Sequence, residues 1–143
     1  VPQISMGTDI IVGFPGETEE QFKRSLSLVH ELRFDVVHIA AYSPRPGTTA
    51  CREYQDTIPS EIKKERRNKI EELQTAIANE INSQLQGKKV EVLVEGRKKG
   101  KWFGRTRSNK LVFFEDVSDW LGQLAIIRIE KTSPWSLSGE VEK

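Results

Sequence analysis

The stretch TDIIVGFPGETEEQFKRSLSLVHELRFDVVHIAAYSPRPG, residues 8–47, decides the fold class. Residues 8–13 form a short apolar run with little polar alternation, the pattern of a strand buried on both faces of a parallel sheet. The run stops in Gly13-Phe14-Pro15-Gly16, which turns the chain. Thr18 and Gln21 then make a capping box, and Glu19 and Glu20 place negative charge against the positive end of the helix dipole. Phe22, Leu26, Val29 and Leu32 follow at helical spacing and predict the buried stripe of that helix. Residues 36–42 are a second apolar strand, ended by Ser43-Pro44-Arg45-Pro46-Gly47. Strand, helix and strand make a βαβ unit, with parallel strands and a right-handed crossover.

Two parallel strands hold only when further strands and helices cover them. Residues 1–58 therefore read as the end of a larger sheet or barrel. With no initiator Met and a strand arriving almost at once, the expectation is a C-terminal piece of a longer chain. Working outward, residues 59–83 predict a connecting helix with Ser60 as N-cap after Pro59. Ile62, Ile70, Leu73, Ile77, Ile81 and Leu85 give it one apolar face, and Gly87 a stop. The charges between Glu61 and Glu72 read as a solvated face laced with helical ion pairs. From residue 84 to 143 the pattern is all β. Strands are expected at 90–94, 102–106, 110–114, 124–130 and 135–141, with turn signals between, which predicts a small five-stranded antiparallel β-barrel. The fold class is thus α/β plus all-β.

The chain has 143 residues, enough for one ordinary domain or two small ones, and 36% hydrophobic with 30% charged residues is a globular composition. No apolar run is long enough to span a bilayer and no signal peptide opens the sequence, so no membrane partner is expected. The single cysteine, Cys51, excludes an internal disulfide framework and a cysteine-built metal site. The net charge of +1 conceals an imbalance: residues 1–60 carry 5 basic and 8 acidic side chains, residues 87–143 carry 12 and 8. Seven of the fourteen residues 97–110 are Lys or Arg and none is acidic.

That basic segment is the strongest site signal. Arg97, Lys98, Lys99 and Lys101 fall in one turn, Arg105, Arg107 and Lys110 on the strand and hairpin after it, with Trp102 and Phe103 between them. Cations that neutralise phosphates beside aromatic faces that stack on unpaired bases are what small β-barrels present to single-stranded nucleic acid. The competing interpretation is a solvated charged face; the barrel context favours RNA. GFPGE, at the C-terminal end of a parallel strand, lies where α/β proteins place ligands, though its spacing alone reads as a tight turn. Tyr42, Ser43 and Arg45 hold the same position on the next strand, where Tyr42 could stack on a planar ligand and Arg45 hold an anion. His38, on the same strand face as Tyr42, reads as a core histidine, and Cys51 as an inert thiol.

Three strings carry a resemblance. TDIIVGFPGET (8–18), YSPRPGT (42–48) and GRTRSNKLVFF (104–114) resemble the C-terminal part of the radical S-adenosylmethionine methylthiotransferases, and the segments 59–74 and 87–96 are similar as well. The resemblance implies that residues 1–58 end a partial (β/α) radical S-adenosylmethionine barrel, and that residues 84–143 form an RNA-binding TRAM domain with an OB-like barrel. It implies S-adenosylmethionine and two 4Fe-4S clusters as cofactors of the parent enzyme. The substrate implied is N6-isopentenyladenosine in a tRNA anticodon stem-loop, methylthiolated at C2; relatives act on threonylcarbamoyladenosine or on a ribosomal protein. It places Ile11, Gly13, Tyr42 and Ser43 in the S-adenosylmethionine pocket, and Arg105, Arg107, Asn109 and Lys110 toward tRNA. The turn from Arg97 to Trp102 joins that face on charge alone. The cysteine sets for both clusters are absent, so no catalytic and no metal-binding residue is assigned, and turnover would require the N-terminal domains of the parent. A stand-alone RNA-binding module is the alternative. The cytoplasm, where tRNA resides, is the expected compartment.

Overall fold

The computed structural model describes residues 4–142, which form two compact units, one of Met6–Ile77 and one from Ala78 onward that also takes in residues 4 and 5. In the first, β1 (Gly7–Val12) and β2 (Val36–Ala41) pair in parallel, from Gly7 against Val36 to Val12 against Ala41. Between them runs α1 (Glu19–Leu32). Its start is the predicted capping box: Thr18 Oγ1 accepts from the Gln21 N–H at 3.2 Å, and Gln21 Oε1 accepts from the Thr18 N–H at 2.8 Å. Arg33 ends it in the left-handed region, φ 48°, its N–H donating to the Val29 carbonyl. Phe22, Val29, Phe34, Val37 and Val12 are buried together as this unit's apolar core.

Two expectations fail here. The strands are covered on one face only: Asp9 and Ile11 of β1 and His38 and Ala40 of β2 lie exposed on the other, with Ile11 57% exposed. A two-stranded sheet with helices on one side leaves every second residue open, so His38 is a surface residue and not a core histidine. Leu32, in the last turn of α1, is 45% exposed rather than part of the stripe.

After the short α2 (Thr49–Glu53) comes α3 (Ser60–Ser83). Its first bond runs from the Lys63 N–H to the Pro59 carbonyl, so Ser60 is already helical and does not cap. The buried face is not the apolar one expected. Ile70, Ile77 and Ala78 are buried, but so are Lys63, Arg66, Gln74 and Asn82, while Ile62 is exposed. Continuing the Ile77–Ile70 stripe upstream by steps of four and three lands on Arg66 and Lys63. Gln74 Nε2 donates to the carbonyls of Phe34 and Asp35, both at 3.1 Å, tying the α1–β2 loop to the helix. The expected helical ion pairs are present on the exposed side, Arg67 with Glu71 and Lys69 with Glu65.

The second unit is a closed barrel of β3 (Lys89–Lys98), β4 (Lys101–Thr106), β5 (Leu111–Phe114), β6 (Leu124–Thr132) and β7 (Leu137–Val141), in the order β3-β4-β5-β7-β6. It is mixed rather than antiparallel throughout, because β5 and β7 pair in parallel. A ring of five cannot alternate direction at every step, so one neighbouring pair must run the same way. Val92, Val94, Trp102, Val112, Phe114, Ala125, Ile127, Ile129 and Leu137 fill the interior from alternate positions. Trp135, expected to open the last strand, is instead exposed in the turn before β7.

The chain end is fastened to this barrel by Glu142, which accepts from Lys89 Nζ and Arg128 Nε, each at 2.8 Å. Lys89 and Arg128 face each other across β3 and β6, so the carboxylate also relieves their repulsion. The Lys89 hydrogen bond, followed by the charge of Arg128, holds the Glu142 pKa below its ordinary 4.5 against the opposing effect of burial. A lowered folded-state pKa means that this contribution is present above pH 4.5 and is lost as pH falls through the lowered value. An NMR titration of the Glu142 carboxyl should show a midpoint below 4.5; a midpoint at or above it would contradict the ion triad.

Candidate nucleic-acid interface and sheet-edge loops

Strand β4 carries the basic segment, and its alternation sorts the predicted residues. Lys101, Phe103 and Arg105 point outward, followed by Arg107 in the hairpin, while Trp102 and Gly104 point into the core. Trp102 is therefore not a surface stacking residue. It is 7% exposed, and its Nε1 donates to the Asp116 carbonyl at 3.2 Å. Its place outside is taken by Phe103, half-buried and opposite Phe113 with ring centroids 6.3 Å apart. The Phe103 ring lies over Gly96, where a Cβ would come within 3.0 Å of it. Strand pairing separates the two aromatics: Trp102 lies opposite Phe114 and Phe103 opposite Phe113, on the two faces of the β4–β5 pair.

Turns at the two ends of β4 place the remaining cations. Lys99 and Gly100, with φ 51° and 83°, make the tight turn that joins β3 to β4, and Lys98, Lys99 and Lys101 are exposed on it. The Arg97 guanidinium sits 5.2 Å from the Trp102 ring centroid. At the other end, Thr106 to Lys110 form a hairpin in which Asn109 takes the left-handed position, φ 60°. Asn109 is thus first a turn residue, and its carbonyl accepts from Arg105 Nη1 at 3.1 Å. Thr106 Oγ1 accepts from the Lys110 N–H at 3.1 Å. Three outward cations have acidic neighbours: Lys101 with Glu115 at 3.0 Å, Arg105 with Glu95 at 3.9 Å and Arg107 with Glu91 at 2.8 Å. Exposed pairs of this kind contribute only about 0–1 kcal/mol, so the carboxylates hold these cations weakly.

In the first unit, α3 fastens the loops at the C-terminal edge of the sheet. Glu17 Oε1 accepts from the Gly13 N–H at 2.8 Å and from Arg66 Nη1 at 2.7 Å, and Arg66 Nη1 also donates to the Glu17 carbonyl. Arg66 lies 5.4 Å from the Phe22 ring centroid. Lys63 Nζ donates to Asp56 Oδ2 at 2.6 Å and to the Tyr42 carbonyl at 3.1 Å. Gly13, φ 70°, is required twice over: a side chain there would be strained, and its Cβ would collide with the Lys63 stem. The absent side chain of Gly13 thus makes room for Lys63. Ile11 and Ser43 are exposed and Tyr42 is half-buried. Sequence reading missed Lys63, Arg66 and Asp56.

Among the described residues, no group of three or more His, Cys, Asp or Glu is arranged to hold a metal ion, and no helix is long and apolar enough to cross a membrane. Cys51 is exposed.

The barrel matches the TRAM domain family over residues 83–141. Curated relatives match along nearly the whole chain. A tRNA-2-methylthio-N(6)-dimethylallyladenosine synthase of Chloroflexus aurantiacus is 53% identical over 142 residues, covering 97% of this chain and 30% of the relative. Proteins of the same name from a Roseiflexus species and from Dehalococcoides mccartyi are 51% and 48% identical, covering 97% and 100% of this chain and 30% and 34% of theirs. The chain thus spans about a third of the length of these relatives. On this similarity it belongs to the tRNA methylthiotransferase family, matching the C-terminal part of those enzymes and carrying a TRAM domain.

Proposed function

We propose that this chain is the tRNA-holding part of an enzyme that methylthiolates C2 of N6-isopentenyladenosine next to the anticodon, acting in the cytoplasm. The observation that carries the proposal is the outward row of Lys101, Phe103 and Arg105 on β4, continued by Arg107 in the hairpin and flanked by the Lys98–Lys99 turn and the Asn109–Lys110 end of that hairpin. At about 3.4 Å per residue the row is roughly 20 Å long. It offers phosphate partners along a strand and an aromatic pair, Phe103 and Phe113, for unpaired bases.

The cofactors expected of the family divide. The 4Fe-4S clusters do not fit these residues, since the one cysteine, Cys51, stands in no ligand group, so their ligands belong to other parts of the enzyme. S-adenosylmethionine fits better: Ile11 and Ala40 form an open apolar strip ending at Tyr42 and Ser43, at the end of parallel strands where ligands gather. When bound, S-adenosylmethionine supplies the methyl group and the radical that activates C2. Here Ile11 would pack on its adenosyl part, Gly13 and Ser43 would border it, and Lys63 would hold the Tyr42 loop in place from beneath.

The test is a salt titration of the chain with an unmodified anticodon stem-loop, with double-stranded RNA as control. Replacing Arg105, Arg107 and Lys110 by Ala should weaken stem-loop binding tenfold or more. It should also flatten the log–log salt slope by roughly 2, since each lost phosphate contact removes about 0.7 on a single strand. Unchanged affinity and slope would remove this face from RNA recognition.

A further inference from the structure

Three aromatic rings from three separate segments meet at the C-terminal edge of the β1–β2 sheet. Phe14 comes from the β1–α1 loop, Tyr42 from the end of β2, and Tyr54 from the residue that closes α2. Phe14 is the centre, 5.2 Å from Tyr42 at an interplanar angle of 72° and 5.9 Å from Tyr54 at 64°. Rings gathered in this edge-to-face way ordinarily serve a core. Here Phe14 remains 42% exposed and Tyr54 53% exposed. The cluster is nonetheless held firmly: Lys63 Nζ stands 5.3 Å from the Tyr42 centroid, bonded to the Tyr42 carbonyl and to Asp56. Arg45 and Arg52, on the segment that links Tyr42 to Tyr54, are exposed.

We infer that Phe14 and Tyr54 form a stacking platform for one unpaired purine of the bound RNA, with Arg45 or Arg52 meeting its phosphate. A firmly held, exposed aromatic surface beside exposed guanidinium groups is the chemistry that takes an unstacked base and its backbone. This site is separate from the β4 row, and it rests on the RNA-binding function proposed above.

The test is photocrosslinking of the full chain to a stem-loop RNA carrying 8-azidoadenosine at an unpaired loop position, with the linked peptides read by mass spectrometry. Crosslinks to peptides containing Phe14 or Tyr54 are expected. The Phe14→Leu/Tyr54→Leu double variant, which keeps apolar bulk and removes the stacking faces, should lose them about tenfold while retaining the salt slope of binding. Crosslinks confined to barrel residues in a chain that binds the stem-loop would overturn the platform. If the chain binds no stem-loop, the RNA-binding function fails separately, and a titration with AMP then decides the platform. Ring-proton shifts confined to Phe14, Tyr42 and Tyr54 would support it; their absence would overturn it.

Discussion

Replacing Gly139 by Ala is expected to destabilise the barrel by about 3 kcal/mol or more, as an extreme case of overpacking. Gly139 stands on β7 where it pairs with Phe114 of β5 and with Ile129 of β6. A Cβ at that position would run into the carbonyl oxygen of Arg128 and the Arg128 carbonyl carbon, with Ile129 Cα 3.0 Å away. These are backbone atoms of a paired strand, so nothing flexible can yield; the strand itself must move. Gly104 on β4 has the same relation to the Leu93 carbonyl on β3. Both glycines let neighbouring strands approach closely enough for five of them to close. Gly122 is the control. It has φ 73° but open space around it, so Gly122→Ala should lose only about 1–2 kcal/mol from left-handed strain. Urea unfolding followed by Trp fluorescence reads the difference, since Trp102 lies in the barrel core. Equal losses for Gly139→Ala and Gly122→Ala would mean that close strand approach is not what these glycines permit.

The second large effect is expected at Arg66. Its side chain is 8% exposed and that of Glu17 12%, so their 2.7 Å contact is a buried ion pair. Arg66→Met would leave the Glu17 carboxylate sequestered with the Gly13 N–H as its remaining close partner, a loss of about 3 kcal/mol. Glu17→Gln added to Arg66→Met removes the stranded charge while keeping an oxygen for the Gly13 N–H, and should recover about 1–2 kcal/mol. Met6–Ile77 contains no Trp, so fluorescence is blind to this unit. Hydrogen exchange at the Gly13 amide reports on it directly. Protection should fall steeply in Arg66→Met and return in part in the double variant; a double variant as exposed as the single one would show that the stranded charge is not the cause.

The elements that were legible in the sequence are those decided within a turn or two of chain. The Thr18–Gln21 capping box, the turns at Gly13 and Lys99–Gly100, and the alternation of Val90, Val92 and Val94 need only neighbouring residues, and each formed where it was read. The charged run of α3 was not legible in this way. Lys63 and Arg66 look like any solvated pair of cations, and they are buried only because Asp56 and Glu17, 7 and 49 positions away, meet them in space. For the candidate RNA face, composition marks the basic run but does not say which aromatic of β4 is buried: Trp102 is, and Phe103 lies on the outer side. The choice between Trp102 and Phe103 depends on which side of the barrel wall each faces, and their partners Phe114 and Phe113 set that.

Local chemistry thus determined the βαβ unit, the long helix, the barrel strands and the basic run, because propensity, capping and periodicity act over a few residues; it did not show the short α2. Tertiary structure alone decided the rest. The parallel contact of β5 with β7 follows from closing an odd number of strands into a ring. The open face of Ile11 and His38 follows from which layers cover the sheet. The aromatic group of Phe14, Tyr42 and Tyr54 exists because three loops end at one edge. Each of these joins residues far apart in the chain, and no local preference encodes a meeting that only closure of the fold creates.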